Sequence, residues 1–169
     1  MTTPIRTAQE IIAHFSMVPH DEGGYFCTQY RSAECIPQAA LPARFTGSRC
    51  FSSAILFLLP RGERSRLHRL HQDEVWHFYL GGPLRLEMIL PDASHQTVLL
   101  GQGLEKGQRL CAVAPAGAWF GAIPAPETEY SLVGCTVAPG FDYADFALGE
   151  RDALLSMFPQ HSAIIEELY

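Results

Sequence analysis

The chain has 169 residues, of which 47% are hydrophobic and 18% charged, and its formal net charge is −6. That length suits one domain with a sizeable core and leaves a second one cramped, while the apolar composition excludes the disordered class. The scattered acidic excess presents no basic surface to a phosphate backbone or an anionic membrane, so neither nucleic acid nor membrane is expected as a partner.

At the start, Met1-Thr2-Thr3-Pro4-Ile5-Arg6 carries no apolar secretory core. The longest apolar run, residues 54–59, falls far short of the roughly 20 residues that cross a bilayer. A cytoplasmic location follows as an expectation. Thr7-Ala8-Gln9-Glu10 is a capping box and predicts a helix over about residues 7–18, with Ile11, Ile12, Phe15 and Met17 on its apolar face and Pro19 stopping it. Gly24 to Tyr30 is aromatic and β-rich, which predicts a strand. Residues 32–48, with Pro37, Pro42 and Gly47, read as a loop, free to move at the mouth of a pocket.

Further strands are predicted over residues 51–59, 74–80, 84–90, 96–100, 109–114, 118–123 and 130–138. The segments between them are turns rich in Gly, Pro and Asp, with no room for crossover helices. The sheet is therefore expected to be antiparallel, as in a sandwich or barrel. Two helices close the chain over about residues 150–168. Cys27, Cys35, Cys50, Cys111 and Cys135 are odd in number and form no CxxC pair, so they read as reduced thiols. Cys111 and Cys135 lie in apolar runs and read as small buried hydrophobes rather than nucleophiles.

Titratable groups are densest in His68-Arg69-Leu70-His71-Gln72-Asp73-Glu74-Val75-Trp76-His77-Phe78-Tyr79-Leu80-Gly81, which suggests a metal or acid–base site. The order resembles the first cupin motif. Carried over by position, His68 matches that motif's first histidine, Glu74 its glutamate and Gly81 its turn glycine, whereas Leu70 stands where the second histidine belongs. Gly107 with Pro115-Ala116-Gly117 resembles the second motif, but Phe120 replaces its histidine. The resemblance thus implies a degenerate ligand set: no cofactor is expected, and a divalent metal would have only His68 and Glu74. His71 or His77 could replace a missing ligand, yet strand alternation turns residue 77 away from residue 74.

The strings His20-Asp21-Glu22-Gly23-Gly24-Tyr25-Phe26, Asp73 to Tyr79, Pro115 to Trp119 and Val133 to Asp142 are similar to the cupin-5 type of this superfamily. This resemblance implies an all-β fold, an antiparallel double-stranded β-helix or jelly-roll barrel over about residues 20–146, with short terminal helices. It also implies a homodimer and a polar, aromatic pocket.

For the site, His68, Glu74, His77 and Tyr25 are the expected acid–base groups, and Glu22, Phe26, Trp76, Tyr79 and Trp119 the expected pocket lining. The plainer alternatives are that His68 and His77 only make structural hydrogen bonds, Glu22 is a turn residue, and Trp76, Phe78, Tyr79 and Trp119 fill the core. Glu74 resists such a reading, because a carboxylate in an otherwise apolar strand is costly without a partner. His14, His95 and His161 read as surface or helix residues. The expected function is binding of a small molecule, with metal-independent isomerisation or epimerisation of a sugar-like or carbonyl-bearing metabolite. The alternatives are a non-catalytic metabolite binder, a metal-dependent dioxygenase or decarboxylase, disfavoured by Leu70 and Phe120, and a barrel plugged by its own side chains.

Overall fold

The computed structural model describes residues 7–169, so the reading of residues 1–6 as free of a secretory core lies outside the described residues. Thr7 Oγ1 accepts from the Glu10 amide at 3.2 Å and Glu10 Oε2 from the Thr7 amide at 2.9 Å, completing the capping box. Helix α1 then spans Ala8–Phe15, shorter than predicted. Ser16 adopts a left-handed conformation at φ 50° and ends it before Pro19 is reached.

The strands in order are β1 (Val18–Pro19), β2 (Tyr25–Arg31), β3 (Cys35–Ile36), β4 (Arg49–Cys50), β5 (Ser53–Pro60), β6 (Ser65–Leu70) and β7 (Glu74–Gly81). They continue with β8 (Leu84–Ile89), β9 (His95–Leu100), β10 (Cys111–Ala114), β11 (Trp119–Pro124), β12 (Tyr130–Val137) and β13 (Phe146–Leu148). Helices α2 (Arg151–Met157) and α3 (Ser162–Glu167) close the chain. Two antiparallel sheets, ordered β1-β2-β5-β12-β7-β10 and β13-β6-β11-β8-β9, make the jelly roll that the turns and strands predict.

Every predicted strand is present, and five more appear, β1, β3, β4, β6 and β13. β6 escapes a sequence reading because its leucines, Leu67 and Leu70, stand three apart, which is not strand alternation. Both its faces are covered: Leu70 faces the other sheet, while Leu67 packs under α2 and α3. The segment 32–48 is not the free loop expected. It contains β3, which pairs with β4 just beyond it, Phe45 is buried, and Arg44 Nε donates to the His71 carbonyl at 2.9 Å. Cys111 is exposed, opposite His77, rather than buried.

Phe57, Leu59, Trp76, Leu86, Phe120 and Val133 belong to the core between the sheets, each contributing on the order of 1.5–3 kcal/mol by leaving water. Outside the six-stranded sheet, Ile11 of α1 packs on Leu58 and Leu132. Leu154 and Ile165 of α2 and α3 pack on Leu67, Ile89 and Trp119 of the other sheet. No helix among the described residues is long and apolar enough to cross a membrane.

Candidate functional site

Side chains do not fill one end of the sandwich. A cavity of about 350 Å³ opens there between β2, β5, β6, β7, β12 and the segment 141–146. Glu22 reaches it from the turn between β1 and β2. Gly23 sits at φ 111°, and a Cβ there would lie 2.2 Å from the Arg64 carbonyl, so only glycine lets the turn press this closely on the approach to β6. The Arg66 amide donates to the Glu22 carbonyl at 2.9 Å, docking the turn on β6 and bringing the carboxyl beside Ser65 and His68 of that strand.

His68 Nδ1 lies 2.8 Å from the Arg66 carbonyl. A carbonyl only accepts, so the ring hydrogen is assigned to Nδ1 and the neutral ring presents the lone pair of Nε2. That nitrogen is 3.2 Å from Glu22 Oε2, while Glu22 Oε1 accepts from Ser65 Oγ at 2.7 Å. The close approach is favourable when a proton lies between Nε2 and Oε2. Burial pushes the Glu22 carboxyl up to about 7, against the opposing effects of the His20 charge and the Ser65 hydrogen bond, and burial lowers His68. Both directions place that proton on Glu22.

Glu74 opens β7, whose alternation turns Glu74, Trp76 and Phe78 inward. Its Oε2 accepts from Trp76 Nε1 at 2.9 Å. Burial raises this carboxyl too, to about 7; the His68 charge lowers it and the Glu22 charge raises it further. Two nearby acids that disfavour each other's ionisation give up their protons at different pH, so near neutrality one is a carboxylate while the other is still an acid. Cys135 also lines the cavity, but burial, with the Glu74 and Glu22 charges, pushes its thiol well up, and it stays a thiol.

Of the expected residues, His68, Glu74, Glu22, Phe26 and Trp76 line the cavity. Four others do not. Tyr25 points to the opposite face of β2 and packs with the α1 cluster. His77 faces outward by the alternation that turns Glu74 in. Tyr79 is the extra residue of a bulge, since Leu132 pairs with Leu80 and Val133 with Phe78, and it is exposed. Trp119 lies under α2 and α3, with Arg69 over its ring. His71 sits outside the cavity, 3.4 Å from Asp145. His95 is not a bare surface residue, because its Nε2 meets the buried Glu87 at 2.7 Å.

The lining also contains His20, Arg31, Phe141, Tyr143 and Phe146, which the sequence reading did not select. His20 and Phe141 stand inside the strings that carried the family resemblance; Arg31, Tyr143 and Phe146 had no such signal. As a metal site the donors do not fit. Leu70 lines the wall, the Phe120 ring packs against His68 with centroids 4.2 Å apart, and no group of three His, Cys, Asp or Glu side chains among the described residues is arranged to hold a metal ion.

Comparisons with known proteins bear on the family and the fold. The Cupin_5 family, described as Cupin superfamily (DUF985), matches residues 9–149. An uncharacterized protein of Saccharomyces cerevisiae is 25% identical over 96% of this chain and 86% of its own length. A solved structure of a protein from Shewanella oneidensis is similar at TM-score 0.87 and 37% identity, covering 97% of this chain and 98% of that one. A hypothetical protein from Leishmania major matches at TM-score 0.87 and 35% identity, over 96% and 98%. Oxalate decarboxylase from Bacillus subtilis shares the fold at TM-score 0.53 and 14% identity, with 89% of this chain covering 36% of that enzyme.

Proposed function

Given that the chain belongs to the Cupin_5 (DUF985) family of the cupin superfamily, we propose that its barrel takes up a small sugar-like, carbonyl-bearing metabolite and isomerises or epimerises it by proton transfer without metal. One observation carries this reading: Glu22 and His68 in contact at 3.2 Å, with Glu74 lining the same cavity, in a hollow whose walls include the rings of Phe26, Phe57, Trp76 and Phe146. The cavity volume is at the small end of the range for metabolite pockets.

In this mechanism whichever of Glu22 and Glu74 is ionised takes a proton from the carbon next to the substrate carbonyl. The other, still protonated, gives its proton to the carbonyl oxygen, and an enediol results. A proton delivered to the former carbonyl carbon, while the neighbouring hydroxyl gives its own proton to the carboxylate left by the acid, completes an isomerisation. One delivered to the opposite face of the original carbon, while the first hydroxyl returns its proton to that carboxylate, completes an epimerisation. Tyr25, His77 and Tyr79 have no part in it, since they face away from the cavity.

The test combines native mass spectrometry of the purified protein with proton NMR in deuterium oxide. Incorporation of deuterium next to the carbonyl of a retained molecule or of an added pentose, lost in Glu74→Gln and in Glu22→Gln while both variants stay folded, is the expected result. A retained molecule that never exchanges would leave a non-catalytic binder, and exchange that survives both substitutions would refute the assignment of the acids.

A further inference from the structure

Phe26 and Thr28 of β2 line the cavity, whereas Tyr25 and Cys27 pack on the opposite face under α1. Strict alternation would make Tyr30 the next residue inside. A bulge intervenes. Thr28 pairs with Ile55 and Tyr30 with Ala54, which leaves Gln29 as the extra residue. The slip turns Tyr30 outward and sends Arg31 to the cavity wall, opposite Ser53, which also lines it. Bulges recur beside active sites because they re-aim a side chain in this way.

Arg31 Nη1 donates to the Phe141 carbonyl at 3.0 Å. No carboxylate among the described residues pairs with its guanidinium, whereas Arg49, Arg61, Arg85 and Arg151 each hold one. Exposure rises along the cavity: Glu22, His68 and Glu74 are buried at one end, and Thr28, Arg31 and Tyr143 are exposed at the other. The lining therefore has an acid–base end inside and, at the mouth, an arginine without an ion-pair partner among the described residues, the neighbouring Asp142 carboxylate accepting from the Ala144 amide instead.

We propose that Arg31, aimed by the Gln29 bulge, receives a phosphate or carboxylate group of the ligand, so that the substrate is a sugar-like carbonyl compound with an anionic tail. The carbonyl end then enters first, towards Glu22, His68 and Glu74, and the charge stays at the wet mouth. Guanidinium suits both anions because its planar fork donates two parallel hydrogen bonds. The inference builds on the acid–base reading above and specifies its substrate.

Calorimetric titration with ribose, ribose 5-phosphate and ribonate tests it. The native protein is expected to bind at least one of the two anions about tenfold or more tighter than ribose, as one charge-assisted hydrogen-bonded contact implies. The tighter of the two identifies the group. Arg31→Gln should bring the anions to within about twofold of ribose, while Arg31→Lys keeps part of the preference. Equal affinities in the native protein, a preference that survives Arg31→Gln, or no binding of any of the three at about 10 mM overturns the proposal. Glu74→Gln is expected to keep the preference and lose deuterium exchange, so failure of the anion site and failure of the acid–base reading are told apart.

Discussion

Two carboxyls enclosed by phenylalanine and tryptophan rings are tolerated best as neutral acids, and that makes stability depend on pH in a direction that can be worked out. Glu74 is raised from the ordinary 4.5 to about 7 in the fold. Below its ordinary value both states are protonated. As pH rises towards 7 the unfolded chain releases the proton while the folded chain keeps it, so this contribution to stability falls across that window and is flat above it. The lowered His68 works the other way, its contribution growing as pH rises towards the ordinary 6.5. Glu74→Gln isolates the acid, because the amide keeps an oxygen for the Trp76 indole and cannot ionise. Urea midpoints should show this variant gaining on the native protein by a few kcal/mol, very roughly, between about pH 5 and about pH 8. A difference independent of pH would mean that Glu74 ionises as freely in the fold as in water. His68 and Glu74 were legible in the sequence because motif spacing and strand parity act over a short stretch of chain, even though β6 and β7 lie in different sheets. Arg31 was not, since a single extra residue at Gln29 reverses the parity and nothing local announces it.

The segment that walls the mouth, carrying Phe141, Tyr143 and Phe146, is held by one buried ion pair. Arg49 of β4 donates to both oxygens of Asp145, Nε to Oδ2 at 2.7 Å and Nη2 to Oδ1 at 2.6 Å, and Gln72 Nε2 adds a third bond at 2.7 Å. Burial alone would raise Asp145, but the Arg49 and Gln72 hydrogen bonds outweigh it and hold the carboxyl below its ordinary value. Asp145→Ala strands the Arg49 charge in a buried site and is expected to cost about 3–5 kcal/mol in chemical unfolding. Adding Arg49→Ala should return part of that loss, whereas strictly additive costs would show that the pair is not coupled. At this scale the strand order was readable, because the turns between β7 and β12 carry Gly, Pro or Asp. The pairing of Arg49 with Asp145 spans 96 positions of sequence and leaves no periodic trace. β13 has three residues, too few for alternation to register, yet it brings Phe146 against His68 with ring centroids 5.5 Å apart.

The three helices cover the outer faces unevenly. α1 shields the β5 and β12 side of the six-stranded sheet, and α2 with α3 shields the other sheet around β6, β8 and β11. Neither cluster reaches the far side of the six-stranded sheet, where Tyr79 and Leu80 of β7 and Leu110 and Val113 at β10 remain exposed. Apolar side chains grouped in this way on a sheet face are characteristic of a surface that another protein covers. A two-fold axis through that face would bring the same four residues of two chains together, each completing the other's cover. We propose that a second copy of the chain occupies it. Sedimentation equilibrium at micromolar concentration should then give twice the 18.7 kDa chain mass. Val113→Glu would place two carboxylates near the axis and is expected to shift the equilibrium to monomer while the fold, followed by circular dichroism, is kept. A native protein that sediments as a monomer, or a Val113→Glu variant that stays dimeric, would move the interface elsewhere or remove it.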